Sequence, residues 1–272
     1  MATWEDECYL CQEAGDLLCC ESCSHVAHYC CYKKLDSYWP LNEETDPYFC
    51  ERCQSTPKTK SKKLKVLELF KGSGSITKYC QSYPDLYESP ISLDIDPKSQ
   101  ATITTDITTW NCSEVEHIKF DILWASPPCT AYSRLRTRGP PADIEGANKI
   151  VTTTLEIISY LKPKTWFLEN PATGKLKDQP FMKDLDKYHI DVDYCKCSTF
   201  GYRKRTRIWT NLKGFEGWQC DNTCGYQGPN GHIGTFGGYQ KNQVNLEDRY
   251  RIPPLLIHRL FTKATGKIHL PD

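Results

Sequence analysis

Four short apolar runs in this 272-residue chain stop on chemically loaded residues, and that pattern restricts the fold more than any other feature of the sequence. Residues 64–70 run into the turn Lys71-Gly72-Ser73-Gly74-Ser75. Residues 91–94 end on Asp94, with Asp96 close behind. Residues 121–125 lead into Ser126-Pro127-Pro128-Cys129, and residues 166–171 carry Glu169 and Asn170. Such runs read as buried strands. Between them, residues 76–83 begin a helix. Residues 148–161 place Ile150, Val151, Leu155, Ile158 and Leu161 on one helical face. Thr105-Asp106-Ile107 ends a weaker third strand segment. Strand, glycine turn, helix, strand and acid predict an α/β domain with a nucleotide-type cofactor site at the carboxyl ends of its strands. The glycines allow close approach of backbone to ligand, and an acid after the second strand can accept from ribose hydroxyls. Cys129 follows a buried strand and a Pro pair, which holds it at the mouth of a site and not inside a core.

The charge is balanced overall, 34 basic against 34 acidic side chains, but not along the chain. Residues 1–53 hold three basic and eleven acidic side chains, a net charge of −8, and the remainder holds 31 and 23, a net of +8. An acidic head on a basic body calls for a basic peptide at one end and a polyanion at the other. The chain has 16 Cys and no secretory leader, which points to metal binding and catalysis instead of disulfides. No apolar run approaches the ~18 residues that span a bilayer. The expectation is a soluble intracellular protein without a membrane partner.

Nine Cys fall in the first 53 residues, and seven of them join His28 in the pattern Cys8-x2-Cys11, Cys20-x2-Cys23, His28-x2-Cys31, Cys50-x2-Cys53, which Cys19 and Cys30 do not fit. Two intervening residues let a tight turn aim both ligands at one ion, and four such pairs suffice for two tetrahedral zinc sites. A segment this short buries too little apolar surface to fold on its own, so metal binding must supply much of its folding energy. Residues 54–63 form a basic, polar linker.

The spacing over residues 1–53 resembles a PHD finger. The resemblance implies interleaved sites, with Cys8, Cys11, His28 and Cys31 on one zinc and Cys20, Cys23, Cys50 and Cys53 on the other. Many fingers of this family bind the amino-terminal tail of a histone as an added strand. Glu5-Asp6-Glu7-Cys8 followed by Gly15-Asp16-Leu17-Leu18 looks like the subgroup that reads an unmodified lysine, whose ammonium the carboxylates would hold. A structural zinc knob or another protein contact is the plainer alternative.

The order Phe70-Lys71-Gly72-Ser73-Gly74, Asp94, Asp106, Pro127-Pro128-Cys129, Glu169-Asn170-Pro171, Arg203-Lys204-Arg205-Thr206-Arg207 resembles the cytosine carbon-5 DNA methyltransferase family, in the compact form of phages and large DNA viruses. It implies a Rossmann-like S-adenosylmethionine-dependent sheet over residues 64–272, double-stranded DNA as substrate and a nuclear or viral-replication-compartment location. By resemblance, Phe70, Gly72, Gly74 and Pro128 would line the cofactor pocket. Asp94 would take the ribose hydroxyls, Ile95 would pack on adenine and Asp106 would accept from its amino group. Cys129 would add to cytosine carbon 6, and Glu169 would protonate or hydrogen-bond ring nitrogen 3. Arg205 and Arg207, two apart on a strand, point the same way and would bind the base, the catalytic loop or a phosphate. Amino-group methyltransferases share Ser-Pro-Pro but follow it with an aromatic residue, where this chain has Cys129.

Residues 212–248 stand where the family keeps its target-recognition segment. Cys220-x3-Cys224-x7-His232 offers ligands for a third zinc, with Cys195 and Cys197 upstream and expected on one side of a strand. The fourth ligand stays open between them, and reduced Cys in a loop is the alternative. Two further readings remain beside DNA methylation. One is a degraded methyltransferase fold acting as a chromatin adaptor, and the other is methylation of RNA cytosine.

Overall fold

The structure, a computed structural model, describes residues 5–20, 24–28, 30–31, 62–134, 140–198, 200–228, 231–232 and 249–266. The amino-terminal segment contributes a small antiparallel pair, β1 (Leu17–Cys19) and β2 (Val26–His28), with Leu17 opposite His28.

The body is built on a mixed seven-stranded sheet. Its strands are β3 (Val66–Leu69), β4 (Ile91–Asp94), β5 (Ile103–Thr104), β6 (Ile122–Ala125), β7 (Thr165–Pro171), β8 (His189–Asp193) and β9 (Arg205–Thr210), in spatial order β5-β4-β3-β6-β7-β9-β8. The strands from β5 to β7 are parallel, and β9 runs antiparallel to both its neighbours. This is the Rossmann-like mixed sheet expected of an S-adenosylmethionine-dependent methyltransferase.

Alternation along the central strands builds two cores. Leu67 and Leu69 of β3 and Leu123 and Ala125 of β6 join Ile157, Ile158 and Leu161 of helix α2 (Ile144–Leu161) on one face. Val66, Ile122, Trp124 and Phe167 join Ile76 and Tyr79 of α1 (Ser75–Gln81) and Phe261 of α3 (Pro254–Thr265) on the other. Both faces are thus covered by helices, which is why these strands read as nearly continuous apolar runs. Helix α2 begins four residues before the periodicity predicts, because Asp143 caps it, accepting from the Gly146 amide at 2.8 Å.

One expected strand is absent. Residues 194–196 form a 3-10 turn, so Cys195 and Cys197 do not share the face of a strand. The turn follows β8 directly, and the chain reverses there to pair β9 antiparallel with it. Cys23, Cys50 and Cys53 lie outside the described residues, as do the linker over 54–61 and residues 233–248 of the expected recognition segment. Among the described residues no helix is long and apolar enough to cross a membrane.

Glu68 interrupts the apolar face of β3. Its carboxylate accepts from the amides of Ile76 and Thr77 at 3.2 and 3.1 Å and from the Thr77 hydroxyl, tying β3 to the start of α1. Burial nevertheless pushes its pKa from 4.5 up to about 7, against the pull of those three donors. A folded value above the unfolded one gives stability that is complete below pH 4.5 and lost as pH rises through 7. From pH 5 to 8 the chain should lose about 3 kcal/mol relative to Glu68→Gln. Paired denaturant titrations across that range check this, and parallel curves for the two proteins would refute it.

Candidate active site

The strand order reverses between β3 and β6, and a crevice at the carboxyl ends of the strands is the geometric consequence. A cavity of about 340 Å³ lies there. The end of each parallel strand contributes to its wall. Phe70 and Gly72 follow β3, Asp94 and Ile95 close β4, Asp106 follows β5, Pro128 and Cys129 follow β6, and Glu169 stands on β7. Every one of these sequence-predicted residues is therefore brought to one place. Gly74 sits a step back, in the left-handed region (φ 73°), where it caps the start of α1.

The cofactor side is a backbone cradle. Phe70 itself adopts a left-handed conformation (φ 61°), a strained geometry for an aromatic residue and one that accumulates at functional sites. Gly72 follows at φ 50°, where a side chain would meet only the Phe70 carbonyl oxygen, at 3.9 Å. Its amide donates to Asp94 Oδ2 at 2.7 Å, while the Asp96 amide donates to Asp94 Oδ1 at 2.8 Å. Asp94 is thus oriented by backbone, and each oxygen keeps accepting capacity for hydroxyls. Asp106 is fixed in the same manner by the Thr108 amide at 2.8 Å. Ile95 is 67% exposed beside them, an apolar surface available to a flat ring. These features fit a nucleoside carrying two ribose hydroxyls and an exocyclic amine.

The loop bearing Cys129 is pinned at several points. The Trp124 indole donates to Ser126 Oγ at 2.9 Å, and Asn170 Nδ2 donates to the Pro127 carbonyl at 2.9 Å. The second bond is buried and joins the loop after β6 to the end of β7, so Cys129 and Glu169 are positioned by one contact. Burial pushes the Cys129 thiol up, the Glu169 charge pushes it further, and the Lys204 ammonium pulls it back.

Lys204 is the functional residue that the sequence reading missed. Its Nζ lies 3.5 Å from Glu169 Oε1, 4.8 Å from the centre of the Tyr194 ring, and donates to the Arg249 carbonyl at 3.2 Å. Arg205 and Arg207, expected to bind the base, the catalytic loop or a phosphate, do not line the cavity. Arg205 makes a bidentate pair with fully buried Asp193, at 3.0 and 2.7 Å. Arg207 pairs in the same way with Asp191, at 2.8 and 3.0 Å, and also reaches Asp186 at 2.7 Å. The register of β8 and β9 places each Asp directly opposite its Arg. Arg205 and Arg207 do point the same way, and that face of β9 is the one paired with the acids of β8. Asp191 and Asp193 alternate in step with the Arg residues, a signal that could have turned Lys204 inward instead.

At the amino-terminal end the structure gathers Cys8, Cys11, His28 and Cys31, with their ligand atoms all within 4.8 Å of one another. His28 Nδ1 faces Cys11 Sγ at 3.2 Å and Cys31 Sγ at 3.8 Å, while Nε2 lies 3.3 Å from the Ala14 carbonyl. A proton on Nε2 donated to that carbonyl leaves Nδ1 as a lone-pair ligand. The grouping matches the first of the two interleaved sets that the family resemblance implies. Of the second set only Cys20 is described.

The profile of the family described as C-5 cytosine-specific DNA methylase matches residues 64–214. A frog virus 3 (isolate Goorha) protein described as "Probable DNA (cytosine-5)-methyltransferase" is 31% identical over 219 residues, which is 72% of this chain and 98% of that one. Among solved structures, the S. pombe Dnmt2 methyltransferase aligns at 16% identity over 57% of this chain and 52% of its own, with a TM-score of 0.42. The Entamoeba histolytica methyltransferase EhMeth aligns at 19% identity over 57% and 55%, with a TM-score of 0.41. The chain spans about half the length of these two structures.

The opposed charges on Cys129 give a signed test. Lys204→Met should raise the pH at which Cys129 is alkylated, and Glu169→Gln should lower it, on the order of tenfold in rate per unit at fixed pH. Mass spectrometry of the Cys129 peptide after timed iodoacetamide exposure measures both. Shifts of the same sign would contradict the arrangement.

Proposed function

The chain belongs to the C-5 cytosine-specific DNA methylase family, and from that premise we propose that it methylates carbon 5 of cytosine in double-stranded DNA through a transient bond from Cys129 Sγ to carbon 6. That it is an enzyme of this class follows from the family. What supports the finer reading is a single observation: Cys129 and Glu169, 40 positions apart, meet in the cavity that also holds Gly72, Asp94, Ile95 and Asp106.

S-adenosylmethionine, when bound, supplies an electrophilic methyl group. Phe70, Gly72, Asp94, Ile95, Asp106 and Pro128 would hold it. The rest of the chemistry falls to side chains on the base side. The target cytosine must leave the helix stack to reach a cavity at the sheet edge. Cys129 adds as thiolate to carbon 6, and Glu169 in its acid form hydrogen-bonds or protonates ring nitrogen 3, so that electron density builds at carbon 5. A negative Glu169 opposes the thiolate, whereas a protonated Glu169 does not. Docking of the base on the acid form therefore favours the nucleophile at the moment it is needed. Lys204 stays within 3.5 Å of Glu169 and offsets charge on either group. After methyl transfer, a base removes the carbon-5 proton and the Cys129–carbon bond breaks, restoring the aromatic ring. Asn170 keeps the loop and β7 at fixed separation throughout.

The amino-terminal segment reads, in the same proposal, as a PHD finger that binds a histone tail with unmodified lysine and directs the enzyme to chromatin in a nucleus or viral replication compartment. Glu5, Asp6 and Glu7 line a cleft with Tyr9, Ser24 and His25 on one side and Lys78 and Arg251 of the body on the other. Carboxylates there suit an ammonium group that keeps all its protons. The finger is held to the body by an ion pair, Arg251 to Glu13 at 3.2 Å.

Bisulfite sequencing of duplex DNA after incubation with cofactor tests the reaction. Protected cytosines are expected with the wild-type chain, loss of all protection with Cys129→Ala, and a fall of about 10²–10⁴-fold in rate with Glu169→Gln. Protection surviving in Cys129→Ala rules out the covalent route, and methylation confined to an RNA duplex rules out the DNA reading. For the finger, titration of histone-tail peptides should show weaker binding on lysine trimethylation, and equal affinities would reject it.

A further inference from the structure

A second four-ligand cluster lies in the expected recognition segment, and the methyl-transfer chemistry makes no use of it. Cys195, Cys220, Cys224 and His232 bring their ligand atoms within 4.8 Å of one another. His232 Nε2 lies 3.5 Å from Cys220 Sγ and 3.2 Å from Cys224 Sγ. Around a tetrahedral zinc ion, metal–sulfur and metal–nitrogen bonds of about 2.3 and 2.0 Å place sulfur and nitrogen roughly 3.5 Å apart. The three Cys are reduced, and Cys195 and Cys220 are buried. The turn at 194–196 settles the fourth ligand. It turns Cys195 toward the loop, and Cys197 is not part of the cluster.

We propose that these four residues hold a structural zinc ion that clamps residues 220–232 onto the β8–β9 edge of the sheet. Four protein ligands leave no position open, so the site is of the closed, structural kind and not a catalytic one. The loop has need of a clamp. Between β9 and residue 232, the described regular structure is limited to the two-residue strands β10 (Gln227–Gly228) and β11 (Gly231–His232), which pair only with each other. A pair that small does not hold itself.

The support around the ligands points the same way. Asp193, fully buried, accepts from the Cys220 amide at 2.7 Å and from Arg205 at 3.0 and 2.7 Å. One carboxylate thus binds the metal loop, β8 and β9 together, a second layer that orients a ligand through its backbone. Lys196, next to Cys195, adds an ion pair to Asp221 at 3.7 Å. Arg205 is therefore a positioning residue of this junction. Its neighbour Lys204 faces the cavity, so the clamp also steadies the edge of the active site.

Zinc content of the purified full chain, measured by mass spectrometry of the acid-digested protein, tests the site without reference to activity. Cys224→Ser and His232→Ala should each lose one equivalent relative to wild type, and Cys112→Ser, outside both clusters, should lose none. Limited trypsin digestion should then cut at Lys213 or beyond at least tenfold faster in the two ligand variants, with far-UV circular dichroism unchanged. Should either variant fail to fold, His232→Cys supplies the control, because a fourth thiolate keeps the ion and should restore both zinc and protease resistance. Wild-type zinc content in Cys224→Ser overturns the site. Loss of zinc without faster cleavage overturns the clamp, and failure of His232→Cys to retain the ion overturns the ligand assignment.

Discussion

Parallel pairing of β3 with β4 on one side and β6 on the other is the constraint on which the rest depends. The register sets Leu69 against Leu93 and against Ala125, so three strands end at one level. Everything with chemical potential in the body then projects from that level: the glycine turn, Asp94, and the loop with Cys129. Strand β7 extends the row, with Leu168 opposite Ala125 and Glu169 one step further. A slip of one residue in any of these pairs would turn its apolar side chains from one core to the other, so the two helical layers lock the register. The active cavity is in this sense a by-product of core packing.

Electrostatics divides the sheet edge into two compartments. On one face of β9, Arg205 and Arg207 are neutralised by Asp193 and Asp191, directly across the pair. Burial raises Asp191, but the Arg207 hydrogen bonds outweigh it and hold the group below its ordinary value. On the other face, Lys204 meets Glu169 and Cys129 inside the cavity. Three basic residues within four positions thus serve different ends, two holding strands together and one placed against Glu169 and Cys129 in the cavity. Removing one partner of a buried, bidentate pair leaves the other charge stranded, at a cost of several kcal/mol. Arg205 and Arg207 would therefore disturb activity when substituted even though neither reaches the cavity, which is a reason to separate positioning from catalysis in this segment.

The two Cys/His clusters solve a problem the sheet does not. Among the described residues, the amino-terminal segment with β1–β2 and the loop after β9 each show too little regular structure to bury a core of their own. Each gathers three thiols and an imidazole instead. At the amino-terminal cluster, hydrogen bonds from Cys11 and Cys31 pull the Cys8 thiol down to about 2, while the same contacts push Cys31 up. Three thiols and an imidazole at this spacing form a donor set suited to a shared cation. The clusters stand on different parts of the chain, one at the amino-terminal segment and one spanning the turn after β8 and the loop after β9.

Most of the body was legible because its signals are local. The apolar runs ending at Phe70, Asp94, Ala125 and Pro171 became β3, β4, β6 and β7, and spacing paired Cys8 with Cys11 and His28 with Cys31. Each of those inferences needs only the period of a strand or the reach of a tight turn. What the sequence could not decide were the choices between equivalent faces and equivalent ligands. Whether Lys204 or Arg205 looks into the cavity depends on which side of β9 the acids of β8 occupy, a cross-strand fact. Whether Cys195 or Cys197 completes the second cluster depends on the 3-10 turn at 194–196, which exists because the chain must reverse there to pair β9 with β8. The sequence by itself determined the central strands and which residues stand at their carboxyl ends, Gly72, Asp94, Asp106 and Cys129 among them, since these follow from hydrophobic period and strand ends. Only the tertiary structure assigned the charges at the sheet edge and the fourth metal ligand, since those energies arise between segments that are distant until the sheet has formed.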